Sequence, residues 1–309
     1  MYADDIVIFS ETQTGLQAAL ELTQNYGREQ GLELNKKKTK IMYFNKKAKF
    51  SNKSYVLSNV EIEEVKEYKY LGMQISSSGS LEVARQHLYG TAIKALYKMK
   101  RYLNNMHVKI KTSIHLFDCL ITPILLYGCE VSNSFNISKA MKKNDLAFFD
   151  HILKWKQERA HLNFGRYILG VNSKTANMAI LGELGRYPLF IKAMKQIWKY
   201  HQRCKDINQE TLLHDGYVEQ IRNKDNNCNK TSWIHFVRFI SSKVGIENIE
   251  EDYCTKQAEE KMKGMFREHW KNKLFNDERK EGYGNKLRTY REFKLIYEVE
   301  PYLNSVSNF

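Results

Sequence analysis

Two adjacent carboxylates, Asp4 and Asp5, follow Met1-Tyr2-Ala3 and precede the apolar run Ile6-Val7-Ile8-Phe9-Ser10. The run is rich in β-branched residues and reads as a short buried strand over 6–10. An Asp pair at the tip of a hairpin suits a divalent cation that positions a triphosphate. The same pair also suits a turn or a helix cap. One helix downstream lies Gly31-Leu32-Glu33-Leu34-Asn35-Lys36-Lys37-Lys38-Thr39-Lys40, with Lys46, Lys47 and Lys49 beyond it and no acid within 36–49. A lysine ammonium makes a point contact to phosphate, or gives a proton to departing pyrophosphate. A lysine run also makes an ordinary solvated face. The third stretch is Tyr70-Leu71-Gly72, whose glycine falls inside a strand pattern and marks a bulge or a close backbone approach.

These residues need a scaffold, and the pattern around them supplies one. Thr12 or Thr14 caps a helix of about 14 residues with Leu16, Leu20 and Tyr26 or Gly27 on one face, stopped at Gly31. Lys38 to Phe44 reads as the next strand, so a β–α–β unit fills 6–45. Residues 55–58, 60–65 and 68–76 read as three further strands. Ser76 to Ser80 is a linker, with Ser80 as a helix cap. Leu81, Ala84, Leu88, Ala92, Ala95, Met99 and Leu103 then recur at steps of three and four, predicting a long amphipathic helix. Its opposite face carries Lys94, Lys98 and Arg101. A second helix is expected over 109–127, kinked at Pro123. Others are expected over 137–156, 162–169, 189–204, 209–222, 231–243, 256–275 and 289–298, plus a short one from Ser173 to Leu181.

In order and spacing, the three motifs resemble the reverse transcriptases of non-LTR (LINE-type) retrotransposons. YADD (2–5) is similar to the family's catalytic hairpin, and GLELNKKKTK to its G-L-x-x-N-x-x-K-T-K signature. YLG looks like the strand that grips the primer terminus. ITPILLYGCE (121–130), ILGV (168–171), LGELGRYPL (181–189) and KLRTYREFK (286–294) resemble tracts that follow the polymerase core in such elements. The resemblance implies an α+β chain: a small β-rich remnant of a polymerase palm, then a mainly α-helical thumb and C-terminal region. Residues 1–79 become the C-terminal part of the palm, 80–135 the thumb and 136–309 a helical extension. The partners implied are an RNA template and a DNA primer. Two Mg²⁺ ions (or Mn²⁺) ~3.5–4 Å apart would activate the primer hydroxyl and stabilise the leaving pyrophosphate. Asp4 becomes a metal ligand and Asp5 an auxiliary acid. Lys38 or Lys40 becomes the proton donor to pyrophosphate, and Tyr70, Leu71 and Gly72 hold the primer end. Lys36, Lys37, Lys94, Lys98 and Arg101 contact the nucleic-acid backbone.

The family also needs a metal-binding aspartate on an earlier strand, and fingers that close over the nucleotide. Only Met1 precedes Tyr2, so the expectation is a truncated copy, or a reading frame begun at an internal methionine. Such a chain would lack polymerase activity in isolation and would carry an unpaired sheet edge. The alternatives are a non-catalytic basic nucleic-acid-binding remnant and a degraded element copy.

Composition agrees with a polyanionic partner. Lys and Arg exceed Asp and Glu by 14 charges, more than solubility requires. Five cysteines without C-x-x-C spacing argue against a disulfide framework and a zinc knuckle, and for a reducing, intracellular compartment, nucleus or cytoplasm. No apolar run approaches the ~18 residues that suggest a membrane span.

Overall fold

The computed structural model describes residues 4–45, 50–51, 53–106, 108–132, 145–222, 233–275 and 287–304. The chain packs as two compact units, Met1–His87 and Leu88–Phe309.

The first unit is built on α1, Gln13–Glu29. Thr12 caps it: the Gly15 N–H donates to Thr12 Oγ1 at 3.1 Å. At the other end Gly31 takes φ +68°. The N–H of Gly31 donates to the carbonyl of Arg28 and that of Leu32 to Gly27, the paired closure of a Schellman motif. Gly31 is therefore the stop that the sequence predicts, and Tyr26 is exposed while Gly27 is buried. Leu20 packs with Ile41, Tyr55, Leu57 and Ile62 in a small core, joined at its edge by Ile8, Leu16 and Leu34.

The sheet content is smaller than expected. Residues 6–10 form no strand, and Ile6, Val7 and Phe9 are exposed. Only Ile8 reaches the core. A hydrophobic run becomes a strand only where a neighbour takes up its backbone groups, and none does so here among the described residues. The expected strand 38–44 reduces to a parallel bridge between Ile41 and Glu64, so no β–α–β unit forms over 6–45. β1 (Val56–Leu57) and β2 (Val60–Glu61) make a minimal hairpin. Ser58 and Asn59 turn it at φ +51° and +61°. Both backbone groups of Val56 are occupied by one carboxamide of α1: Gln17 Nε2 donates to its carbonyl and its N–H donates to Gln17 Oε1. Ser58 N–H donates to Gln24 Oε1 in the same way. A helix side chain thus closes a strand edge that otherwise invites aggregation.

The expected strand 68–76 is a hairpin. β3 (Glu67–Tyr70) pairs antiparallel with β4 (Met73–Ser76), Tyr70 opposite Met73. Leu71 and Gly72 form the two-residue turn at φ +47° and +81°. Positive φ at both central positions matches the right-handed twist of the flanking strands, which is why such turns dominate short hairpins.

Among the described residues the remaining elements are helices α2 to α13 and a 3-10 turn, Pro301–Asn304. α2, Glu82–Asn104, matches the expected helix and buries Ala92, Leu96, Met99 and Leu103 within the second unit. The expected helix 109–127 is interrupted. α3 (Ile110–Leu116) passes into a π-helical turn, Phe117–Ile121, before α4 (Thr122–Leu125). Pro123 lacks an N–H and cannot continue an α-helical ladder, and the wider turn before it absorbs the mismatch. α5 covers Cys129–Ser132 and α6 Asp145–Ile152; the part of the expected helix 137–156 before Asp145 lies outside the described residues, and the helix ends at Ile152 rather than running on to 156. α7 (Lys156–Ile168) begins earlier than expected. α8 (Asn177–Glu183) is entered from Ala176 with no side-chain cap, so Ser173 does not cap it.

At the centre is α9, Leu189–Asp206, with Pro188 fixing its start. α9 packs on α5, α7, α10 (Leu212–Arg222) and α12 (Thr255–Phe275). From α11 (Trp233–Lys243), the Ser241 hydroxyl accepts the indole N–H of Trp198, 3.0 Å away. The C-terminal helix expected over 289–298 is only the single turn α13, Tyr290–Phe293. Val299 instead bridges antiparallel to Leu184. No helix among the described residues is long and apolar enough to cross a membrane. Cys119, Cys129, Cys204 and Cys254 are free thiols; Cys228 lies outside the described residues.

Candidate nucleic-acid interface

In the first unit the three motifs share one small scaffold. Asp4 and Asp5 are exposed, four and three residues ahead of Ile8, which joins the core. The lysine-rich stretch leaves α1 at Gly31 and anchors Leu34 on that core. Lys36 to Lys38 form a turn, organised by Asn35. Asn35 Oδ1 accepts from the Lys38 N–H at 3.1 Å. The Asn35 carbonyl accepts from Thr39 N–H and Thr39 Oγ1, both at 2.9 Å. An Asn side chain mimicking a backbone turn is the local reason this loop has one shape.

The two candidate acid lysines differ in surroundings. Lys40 Nζ is paired with Glu63 at 2.5 Å. Lys38 is exposed, and its carbonyl accepts from the Tyr68 hydroxyl at 3.1 Å. That hydroxyl ties the lysine turn to β3, the strand that leads into Leu71 and Gly72. Lys37 is exposed and Lys36 half-buried. Tyr70 closes β3, and Leu71 and Gly72 are the hairpin tip rather than a strand. Asn35, Glu63 and Tyr68 do not stand out in the sequence as organising residues. Only the N three residues before K-T-K in the motif hints at Asn35.

In the second unit, α2 presents Lys94, Lys98 and Arg101 to solvent as expected. Tyr97 and Tyr102 are exposed on the same stripe, at helical steps of three and four from those cations. They escape a search for charge alone. Lys100 sits 4.5 Å over the ring of Tyr167, and burial lowers its pKa.

A metal centre is not completed by these side chains. Asp4 and Asp5 are two adjacent donors, and no group of three or more His, Cys, Asp or Glu converges among the described residues. Two ions need more carboxylate oxygen than this pair offers. Asp118 is not a free ligand either. It accepts from Arg186 Nη1 and Nη2 at 2.9 and 2.6 Å and from Lys192 at 2.9 Å. Burial pushes its pKa upward, but these cations overcome that and hold it well below the usual carboxylate range.

The tract 181–189 supplies Arg186 of that ion pair and meets the tract 286–294 through Glu183 and Tyr290. Arg186 Nε donates to His161 Nε2 at 2.8 Å, so the neutral ring carries its proton on Nδ1, facing Glu158. Glu158 Oε1 accepts from the Phe190 N–H. Tyr290 donates to Glu183 at 3.0 Å. A methyl group on Gly182 would lie 2.6 Å from Trp270 Nε1, and one on Gly185, itself at φ +57°, would lie 2.6 Å from the Val299 nitrogen. LGELGRYPL is therefore a packing and ion-pair hub.

Comparison with known proteins accords with these motifs. The family model described as reverse transcriptase (RNA-dependent DNA polymerase) matches residues 1–75. A transposon-derived protein of Caenorhabditis elegans is 30% identical over 227 residues, covering 69% of this chain and 74% of that protein. The retrovirus-related Pol polyprotein from type-1 retrotransposable element R2 of Nasonia vitripennis is 34% identical over 92 residues. That alignment covers 27% of this chain and only 9% of the polyprotein. No solved structure matches the chain. The worm relative aligns well beyond the stretch that holds YADD, GLELNKKKTK and YLG, and the chain belongs to the reverse transcriptases of non-LTR retrotransposons.

Proposed function

We propose that the chain is the C-terminal part of an RNA-directed DNA polymerase: the end of a palm (1–79), a thumb (80–135) and a helical extension (136–309). In the intact protein the reaction is template-directed nucleotidyl transfer to a DNA 3′-end. The observation that carries this is the convergence of the motifs. The Tyr68 hydroxyl binds the Lys38 carbonyl, and the segments from the Asp pair and the lysine turn pack on the same five-residue core. A bound triphosphate would thus meet carboxylates and an ammonium held on one scaffold. With Lys40 already paired to Glu63, Lys38 is the better placed proton donor. Tyr70, Leu71 and Gly72 present a fixed turn to the primer end. Lys94, Lys98 and Arg101 track a duplex backbone.

The donor set of Asp4 and Asp5 alone does not support two-metal chemistry, so the isolated chain should not extend a primer. Primer extension on an RNA template with Mg²⁺ tests this. Incorporation that disappears in Asp4→Ala would overturn the inactivity. The second reading is a non-catalytic clamp on nucleic acid. It is favoured by the exposed cations and tyrosines of α2, which need no metal.

A further inference from the structure

The first unit carries a second cationic surface, made of residues outside both the lysine turn and α2. Tyr43 and Phe50 are large rings left about half exposed, at 44% and 52%. Each has a lysine over it: Lys53 Nζ lies 5.6 Å from the Tyr43 centroid and Lys66 Nζ 4.5 Å from that of Phe50. Neither ammonium pairs with a carboxylate among the described residues. The segments that carry the rings are tied to residues 64–77. Ile41 bridges Glu64, and the Glu64 carboxylate accepts from the Ser51 N–H and hydroxyl, next to Phe50. Ser77 joins the Asn45 N–H to the Lys66 carbonyl.

A ring capped on one face by a cation leaves its other face for stacking. An adjoining ammonium then meets whatever anion accompanies the stacked group. Bases joined by phosphates fit both requirements, whereas the bases of a duplex are already stacked on each other. We infer that Tyr43 and Phe50, with Lys53 and Lys66, form a platform for single-stranded nucleic acid, each ring stacking a base and each lysine meeting a phosphate. The platform uses none of the residues on which the proposed function rests.

The test is equilibrium binding of the full chain to an oligo(U) strand of roughly 16 nucleotides, a length within the reach of such surfaces, and to an RNA–DNA hybrid of equal length. Tyr43→Leu and Phe50→Leu keep apolar bulk and remove the ring. Each should weaken oligo(U) binding about tenfold while hybrid binding stays within about twofold. Tyr43→Phe should bind oligo(U) as the parent does. Lys53→Gln with Lys66→Gln leaves both rings and should flatten the salt dependence for oligo(U) by about 0.7 per lysine. Leucine variants that bind oligo(U) like the parent, an equal loss on the hybrid, or an unchanged salt slope would each overturn the platform. The proposed function fails by a different result, a hybrid affinity indifferent to Lys94→Gln, Lys98→Gln and Arg101→Gln.

Discussion

One substitution, glycine to alanine, should change stability in opposite directions at two helical positions of the second unit. Gly182 lies in α8 beneath the indole of Trp270, which is fully buried and donates from Nε1 to the Met178 carbonyl at 2.9 Å. An added methyl group would sit 2.6 Å from that nitrogen and 3.0 Å from two ring carbons. The indole cannot yield without losing its bond to α8 or its place among α12 neighbours. Overpacking a filled site costs ~1–3 kcal/mol, and a buried donor left unpaired costs ~1–3 kcal/mol. Alanine returns ~1 kcal/mol of helix propensity. The balance for Gly182→Ala is a loss of ~1–5 kcal/mol. Gly216, in α10, is exposed, and a methyl group added there would have no neighbour within 4 Å. There only propensity acts, and Gly216→Ala should gain ~0.5–1 kcal/mol. Urea unfolding followed by tryptophan fluorescence reads both, because Trp155, Trp198, Trp233 and Trp270 all lie in the second unit. The midpoint should fall for Gly182→Ala and rise for Gly216→Ala at constant slope. A Gly182→Ala protein as stable as the parent would refute the close packing of α8 on Trp270.

Three further outcomes follow from the same geometry. Arg186→Met should cost ~1–3 kcal/mol in the same urea assay, since it leaves the part-buried Asp118 carboxylate with Lys192 and the Thr122 hydroxyl and takes the donor from the buried His161 Nε2; a loss below ~0.5 kcal/mol would show that the ion pair is not structural. Burial first, then Lys205 and Arg238, lowers the pKa of His201 to about 4. The unfolded chain then takes up a proton as pH falls below ~6.5 that the folded chain refuses until about pH 4. Stability is therefore full above that window and drops by up to ~3 kcal/mol across it, and urea midpoints for His201→Gln should vary less with pH over it than those of the parent. Asn35→Ala removes the side-chain acceptor of the Lys38 N–H and leaves it the Asn35 carbonyl at 3.1 Å, so it should loosen the lysine turn by ~0.5–1 kcal/mol, seen as faster hydrogen exchange at Lys38 and Thr39; unchanged exchange would contradict the role given to the Asn35 side chain.

What the sequence discloses follows from period and from glycine. α2 is legible because its apolar stripe continues for six turns, and the stop at Gly31 because only glycine enters the left-handed region freely. The hairpin at 67–76 reads as a single strand because Leu71 occupies a positive φ that leucine ordinarily avoids. A turn carried by Leu-Gly looks like a strand to any rule based on Asn-Gly or Asp-Gly. The strand expected at 6–10 fails for the opposite reason: composition favours it, but strands exist by pairing, and pairing is not local information. The candidate site is legible in its motifs and hidden in its contacts. Tyr68 on Lys38, Glu63 on Lys40 and Arg186 on Asp118 join residues 23 to 68 apart in sequence.

The proposed function has this chain gripping nucleic acid through the basic face of α2, and binding of the full chain to an RNA–DNA hybrid across a salt series is the decisive measurement. If Lys94, Lys98 and Arg101 each meet a phosphate, log affinity should fall linearly with log salt, and replacing all three by Gln should reduce the slope by roughly 2 to 3. An affinity that does not fall as salt rises, or a slope indifferent to those three residues, would contradict the account.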